Sequence, residues 1–180
     1  MRYLLPLVLL LAGCNLEKPL PVLGEVPAFQ LIDQHGKAFH RTELDGHIWV
    51  ADFIFTTCPG PCPLMSSKLH AVQKATPAGV KLVSFTIDPA HDTPAKLAAY
   101  SRNFAADDTR WSFLTGSTAT LNALASDAFH LGTVGDNLEH STRFVLIDGK
   151  GRIRAYYAFT DADVVSRVAH DAERLRKEPA

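Results

Sequence analysis

Short apolar runs alternate with helical patterns along most of the chain, and this alternation restricts the fold more than any other feature of the sequence. Residues 48–55, 81–87 and 111–114 have the length and apolar content of buried strands. The segments that follow them place apolar residues three or four apart, as on the buried face of a helix. A hairpin pattern over residues 142–159 and a last helix complete the order. We therefore predict an α/β fold with a central mixed sheet flanked by helices.

Residues with strong helix-capping preferences mark the starts of two of these helices. Thr93 suits an N-cap position and Pro94 suits the first helical position. Thr160 and Asp163 have the spacing of a capping box, which would open the last helix. A small hairpin is predicted over residues 29–39, ahead of the first core strand. With this N-terminal β-hairpin, the order of elements is typical of a thioredoxin-like fold.

The first thirteen residues resemble the signal peptide of a bacterial lipoprotein. Residues 3–11 form a nearly unbroken apolar run that is too short to cross a bilayer as a helix. Leu11-Ala12-Gly13-Cys14 follows directly and is similar to a lipobox, in which the chain is cut before the cysteine and that cysteine is lipidated. An uncleaved short anchor is the alternative. We expect a lipid-anchored protein of the bacterial cell envelope that faces the periplasm.

The rest of the chain has the length of one domain. Pro and Gly residues without periodicity predict a flexible tether over residues 14–26, and the folded domain is expected over residues 27–176. The 18 Lys and Arg residues are balanced by 19 Asp and Glu residues, so the formal net charge is −1. Such a chain has no basic field to hold a phosphate backbone, which argues against nucleic acid as a partner. We expect a monomer that is attached to the membrane through its lipid.

Cys58 and Cys62 lie four residues apart, between the first core strand and its helix. A disulfide that closes so short a loop removes little entropy from the unfolded chain, so a purely structural role is disfavoured. Open α/β sheets bind their ligands at this end of the strands. The N-terminus of the helix favours negative charge, so we predict lowered pKa values for both thiols. The spacing therefore predicts a redox-active or metal-binding pair.

Four segments occur in an order and spacing that are specific only in combination. They are Phe29-Gln30-Leu31-Ile32-Asp33-Gln34-His35-Gly36, Phe53-Ile54-Phe55-Thr56-Thr57-Cys58-x-x-x-Cys62-Pro63, Asp88-Pro89-x-x-Asp92-Thr93-Pro94 and Glu139-His140-Ser141. On these segments the chain resembles the Sco/SenC family, thioredoxin-fold copper proteins linked to assembly of the dinuclear copper centre of cytochrome c oxidase. The resemblance implies that Cys58, Cys62 and His140 bind copper.

Topology also favours His140 among the eight histidines. If residues 142–147 run antiparallel to the first core strand, the start of that segment lies beside the cysteines. His91 follows the second core strand and opens on the same edge, so it is the main rival. Two soft thiolates and one imidazole suit Cu(I), and the imidazole also suits Cu(II). Structural zinc normally has four protein ligands, so copper is the metal that we expect.

The resemblance implies a copper chaperone whose partner is the copper-bearing subunit of cytochrome c oxidase or another periplasmic copper protein. A thiol–disulfide oxidoreductase that keeps partner cysteines reduced is the alternative, with Cys58, Cys62 and Asp52 as its catalytic groups. Gly60 stands where many family members have an acidic residue, and Asp52 matches the buried proton-transferring aspartate of thioredoxin. Asp52 on a solvated strand face is the other interpretation. A peroxidase is disfavoured because Phe55 stands where peroxiredoxins have a threonine.

Overall fold

The computed structural model describes residues 18–131 and 142–178, and within these ranges the chain forms eight strands and four α-helices. The strands are β1 (Gly24–Glu25), β2 (Gln30–Ile32), β3 (Ala38–His40), β4 (Trp49–Ile54), β5 (Lys81–Thr86), β6 (Trp111–Leu114), β7 (Arg143–Ile147) and β8 (Arg152–Ala158). The helices are α1 (Pro61–Ala75), α2 (Pro94–Asn103), α3 (Thr118–Ala123) and α4 (Val164–Lys177). A 3₁₀ turn over Arg41–Leu44 and a π turn over Leu124–Ala128 complete the described elements.

The main sheet is mixed and has β4 near its middle. Its strand order is β1-β8-β7-β4-β5-β6, and β2 and β3 form a separate hairpin. β4, β5 and β6 are parallel, whereas β7 runs antiparallel to β4 with Val50 opposite Leu146. The carboxyl ends of β4 and β5 and the start of β7 therefore share one edge, which we call the cysteine edge. The predicted α/β fold is confirmed, including the antiparallel direction of β7.

The six residues of β4 are all buried, because both faces of the sheet are covered. On one face Phe53 stacks on Phe85 at 5.1 Å between ring centroids and meets the edge of Phe129 at 5.4 Å. On the other face Met65 and Leu69 of α1 pack in the core shared with α2 and α4. This double packing holds the end of β4, from which the cysteine loop departs, in a rigid frame.

The N-terminal tether is shorter than the one predicted. The guanidinium of Arg154 donates to the carbonyl of Leu20, and that of Arg174 donates to the carbonyl of Lys18. β1 also pairs with the start of β8. Residues 18–26 therefore belong to the domain, because two arginines and a strand edge satisfy their backbone groups. The four residues before Lys18 lie outside the described residues.

The capping box predicted at Thr160 and Asp163 is wrong. α4 begins at Val164, and Asp163 occupies the N-cap position without a side-chain capping bond. The backbone N–H of Asp161 donates to the carbonyl of Ala158 at 3.1 Å, which forms a turn directly after β8. This turn carries Thr160 past the end of the strand, so the helix starts three residues later than the capping pattern indicates.

Within residues 18–131 and 142–178, no helix combines the length and the apolar character needed to cross a bilayer.

Candidate metal centre

Cys58 and Cys62 lie on the loop that joins β4 to α1, at the cysteine edge. Cys62 is the second residue of α1 and is buried, whereas Cys58 is partly exposed. Pro61 opens the helix and Gly60 is its N-cap residue. The backbone N–H of Cys58 donates to the carbonyl of Phe55 at 3.3 Å, which turns the loop back toward the sheet. Both thiols are free, and the Cys58 side chain is near enough to Cys62 to raise the pKa of its thiol.

Burial controls the acidity of the Cys62 thiol. Loss of hydration raises its pKa far above the ordinary value, and the neighbouring Cys58 and Asp52 raise it further. A hydrogen bond at the Phe55 backbone acts in the opposite direction and is outweighed. The lowered pKa predicted from the helix N-terminus is therefore wrong for Cys62, because desolvation exceeds the effect of the helix dipole. A bound metal cation would remove this penalty, since coordination deprotonates a thiol outright.

Asp52 is completely buried in the middle of β4. Asp52 is two residues from both Val50 and Ile54, which face the core under α1, so all three side chains share one face of the strand. Its carboxyl group therefore lies on the same side of the sheet as Cys62. Neither carboxyl oxygen has a hydrogen-bond partner. Desolvation raises the pKa of Asp52 to about 7, and the nearby Ser84 hydroxyl lowers it only in part, since no bond of normal geometry joins them.

This burial excludes the solvated strand face that the sequence left open for Asp52. The charge of the Asp52 carboxylate contributes to the raised pKa values of both Cys62 and Tyr100, so the three groups share one electrostatic environment. A carboxyl group that titrates near neutral pH behind a thiol pair can take up and release a proton there. Its part in thiol exchange stays a prediction.

Asp92 has a role that its place in the sequence does not reveal. The pattern Asp92-Thr93-Pro94 indicates a helix start, and Thr93 does accept the bond from the Lys96 N–H at 3.4 Å. The Asp92 carboxylate points elsewhere. It accepts hydrogen bonds from Thr56, on the cysteine loop, and from Thr86, at the end of β5. The sequence shows only that a carboxylate lies on a loop between a strand and a helix. This position alone does not predict the contacts of Asp92 with Thr56 and Thr86.

His91 lies on the same loop and is exposed. Its Nδ1 is 2.8 Å from one carboxyl oxygen of Asp88 and 2.9 Å from the other. This pairing turns Nε2 outward, away from the carboxylate. Within residues 18–131 and 142–178, no group of three or more His, Cys, Asp and Glu side chains stands close enough to hold a metal ion.

His140 and Cys14 lie outside the described residues, so their roles stay predictions. The chain resumes at Thr142, whose carbonyl accepts a bond from the backbone N–H of Phe159 at 3.2 Å. Arg143 then begins β7 at the cysteine edge, as the antiparallel pairing with β4 requires. Only Ser141 therefore stands between His140 and Thr142, the first residue of a described segment that begins at the edge where the thiols lie.

The site and the sheet order together define a class of protein. Adjacent thiols at the start of a helix, with a buried carboxyl group behind them, lie at the ligand-binding edge of a mixed sheet. Such a site serves thiol exchange or the binding of a soft metal. The molecule is therefore a thioredoxin-like protein with a dithiol centre.

The chain belongs to the SCO1/SenC family, whose model matches residues 22–175. It is 32% identical to the SCO1 protein homolog of Bacillus subtilis over 145 residues, which cover 76% of this chain and 75% of that protein. The structure of BsSco, a member of the Sco family of cytochrome c oxidase assembly proteins with a disulfide switch, is 27% identical with a TM-score of 0.78. This match covers 90% of this chain and 100% of BsSco.

A second solved structure that resembles this chain contains copper. ScoI of Bradyrhizobium japonicum, solved with copper bound, is 25% identical and superposes with a TM-score of 0.68. The match covers 84% of this chain and 99% of ScoI. The Sco/SenC resemblance expected from the sequence motifs is thus confirmed.

Proposed function

We propose that this protein binds copper through Cys58, Cys62 and His140 and delivers it to, or matures, the copper site of cytochrome c oxidase. The observation that carries the proposal is the pair of adjacent free thiols at the cysteine edge of a SCO1/SenC chain. Copper bound in ScoI of Bradyrhizobium japonicum supports the choice of metal. The description of BsSco as a member of a cytochrome c oxidase assembly family supports the choice of partner. Another periplasmic copper protein is a second candidate partner.

The donor set suits copper in both oxidation states. Thiolate sulfur is a soft ligand that favours Cu(I), and an imidazole from His140 adds the nitrogen donor that Cu(II) prefers. Cys58 is partly exposed, so a partner's ligand can approach the metal from that side, while Cys62 holds it from the buried side. Copper would then leave by ligand exchange. Oxidation of the two copper-bound thiolates to a disulfide, with loss of two electrons to an acceptor, would remove both sulfur ligands and release the metal.

Thiol–disulfide exchange with a partner protein is the second candidate function, and the buried Asp52 favours it. Cys58 is the more accessible thiol, so it is the sulfur that would attack a partner disulfide. Cys62 would then attack the mixed disulfide and must lose its proton at a site where burial raises the thiol pKa. The Asp52 carboxylate lies on the same face of the sheet and would accept that proton.

His140→Ala is expected to separate Cu(II) binding from Cu(I) binding. Two thiolates still hold Cu(I), whereas Cu(II) loses its imidazole donor, so stable Cu(II) binding should disappear while Cu(I) binding remains. The measurement is titration of the reduced protein with each ion, followed by metal analysis after desalting. His91→Ala is the matched control at the same edge and should behave as wild type. If Cu(II) binding were lost in His91→Ala but kept in His140→Ala, His91 and not His140 would be the imidazole ligand.

We also propose that Cys14 carries a lipid and that the domain faces the periplasm. The apolar run before Leu11-Ala12-Gly13-Cys14 supports this, and acyl chains supply the membrane affinity of such proteins. Cys14→Ser should abolish acylation and move the protein out of the membrane fraction or leave its leader uncleaved. Labelling with a radioactive fatty acid and fractionation measure both effects. Unchanged labelling and membrane association in Cys14→Ser would contradict the lipobox interpretation.

A further inference from the structure

Asp92 joins three parts of the cysteine edge through one buried carboxylate. The side chain is completely buried, although it is acidic. Its oxygens accept bonds from the backbone N–H of Thr56 at 3.1 Å and from the Thr56 hydroxyl at 2.5 Å. A third bond, also 2.5 Å, comes from the hydroxyl of Thr86. Short hydrogen bonds to a carboxylate are among the stronger ones in proteins, and they offset the cost of burying the group.

These bonds fix the cysteine loop to the neighbouring strand. Thr56 is two residues before Cys58, and Thr86 is the last residue of β5. The Thr86 hydroxyl also accepts a bond from the backbone N–H of Asp88 at 3.0 Å, so the loop after β5 is held by the same group. Two loops that leave the sheet at the same edge are thereby tied together beside the thiols.

We propose that Asp92 is a positioning residue that holds Cys58 against Cys62 by clamping Thr56. The inference rests on the proposed function, because it concerns the same dithiol site. Cys62 needs no such clamp, since it belongs to α1 and is packed in the core. Cys58 belongs to the loop, where its backbone N–H donates to the carbonyl of Phe55 at 3.3 Å. The Asp92 clamp supplies the rigidity that the loop itself lacks.

The clamp has a chemical consequence for the thiol pair. Holding two groups in contact raises their effective concentration, which favours every process that uses both at once. Disulfide formation between Cys58 and Cys62 and two-sulfur binding of copper are both such processes. Release of Thr56 would let Cys58 move away from Cys62 and would weaken both, even if the rest of the fold were unchanged.

The test compares the reduction potential of the Cys58–Cys62 pair in Asp92→Asn, Thr56→Val and wild type. Loss of the clamp should lower the equilibrium constant for disulfide formation about tenfold, which corresponds to a rise of about 30 mV in the reduction potential. Thr56→Val keeps the side-chain shape and removes the hydroxyl bond while the backbone N–H bond to Asp92 remains, so it tests the side-chain part of the clamp if Asp92→Asn folds poorly. The double variant should shift no further than the larger single one, since both changes break the same contact.

Two controls separate positioning from general stability. Thr56→Ser retains the hydroxyl and should keep the wild-type potential, and Asp88→Asn removes a partly exposed carboxylate from the same loop and should do likewise. A lower melting temperature in Asp92→Asn and Thr56→Val with an unchanged potential would overturn the proposal. The potential is measured without metal, so a wild-type protein that failed to bind copper would refute the proposed function while this comparison still decided the role of Asp92.

Discussion

Replacing Asp52 with asparagine should stabilise the reduced, metal-free protein at pH 8 and leave its stability unchanged near pH 4. The asparagine side chain is neutral and has the same shape, so it resembles the protonated form of the native aspartic acid. Burial raises the pKa of Asp52 from 3.8 to about 7, so the folded protein holds a proton that the unfolded chain releases. Stability from this group is therefore fully present below pH 3.8 and is lost as the pH rises toward 7.

The size of the effect follows from the shift. The pKa shift of about three units, at about 1.4 kcal/mol per unit, corresponds to about 4 kcal/mol. Above pH 7 the ionised aspartate lowers the free energy of unfolding by this amount, whereas the asparagine does not. Urea unfolding of both proteins between pH 4 and pH 9 measures the difference. Asp127→Asn is the control, because that carboxylate is exposed and its removal should leave the pH profile parallel to that of wild type. Parallel profiles for Asp52→Asn as well would show that Asp52 titrates as an ordinary carboxylate.

The same variant distinguishes the two candidate functions. If Asp52 accepts the proton of Cys62 during exchange, Asp52→Asn should reduce a model disulfide more slowly than wild type and bind the same amount of copper. Unchanged exchange rates would remove the main support for the reductase function. A loss of copper together with unchanged exchange would instead place Asp52 in the metal site.

Cys58→Ser should abolish stoichiometric copper binding. A hydroxyl is a hard, weak donor for Cu(I), and the change removes one of two sulfur ligands. Loss of an outer partner of a metal ligand already weakens binding about 10- to 100-fold, so loss of the ligand itself should exceed about hundredfold. Competition with a Cu(I) chelator measures the affinity. Cys62→Ser should have the same effect, although its buried position adds a cost in stability.

Thr57→Ser is the matched control for the cysteine variants, because Thr57 is a neighbour on the same loop. It should retain wild-type copper affinity. If Cys58→Ser and Cys62→Ser also retained one tightly bound copper per chain, the metal would lie elsewhere, and the dithiol would be left with redox chemistry alone.

Local patterns were sufficient to predict the core strands and most helices, whereas β1 and the start of α4 depend on contacts that no local pattern indicates. The apolar run of β4 and the Thr93-Pro94 start of α2 each depend on neighbouring residues, so the sequence reveals them. Asp92 gains its meaning from Thr56, 36 residues away, which no local pattern indicates. The raised pKa of Cys62 depends on how deeply α1 packs. The sequence predicts where a helix begins, and with it the direction of its dipole. It does not predict how much water reaches a thiol at that position.

The attachment of residues 18–26 has a consequence for how the domain would stand on a bilayer. Those residues meet β8 and the end of α4, whereas the start of α4 lies near the cysteine edge, where Lys68 Nζ donates to the carbonyl of Phe159. α4 has 14 residues, and at about 1.5 Å per residue it is about 21 Å long. A lipid on Cys14 would therefore attach the domain to the membrane at the end where residues 18–26 lie. The thiols, at the opposite end of the domain, would then face away from the lipid surface. The height of a partner's acceptor site above the lipid surface, as well as its chemistry, would then decide which proteins the dithiol can reach.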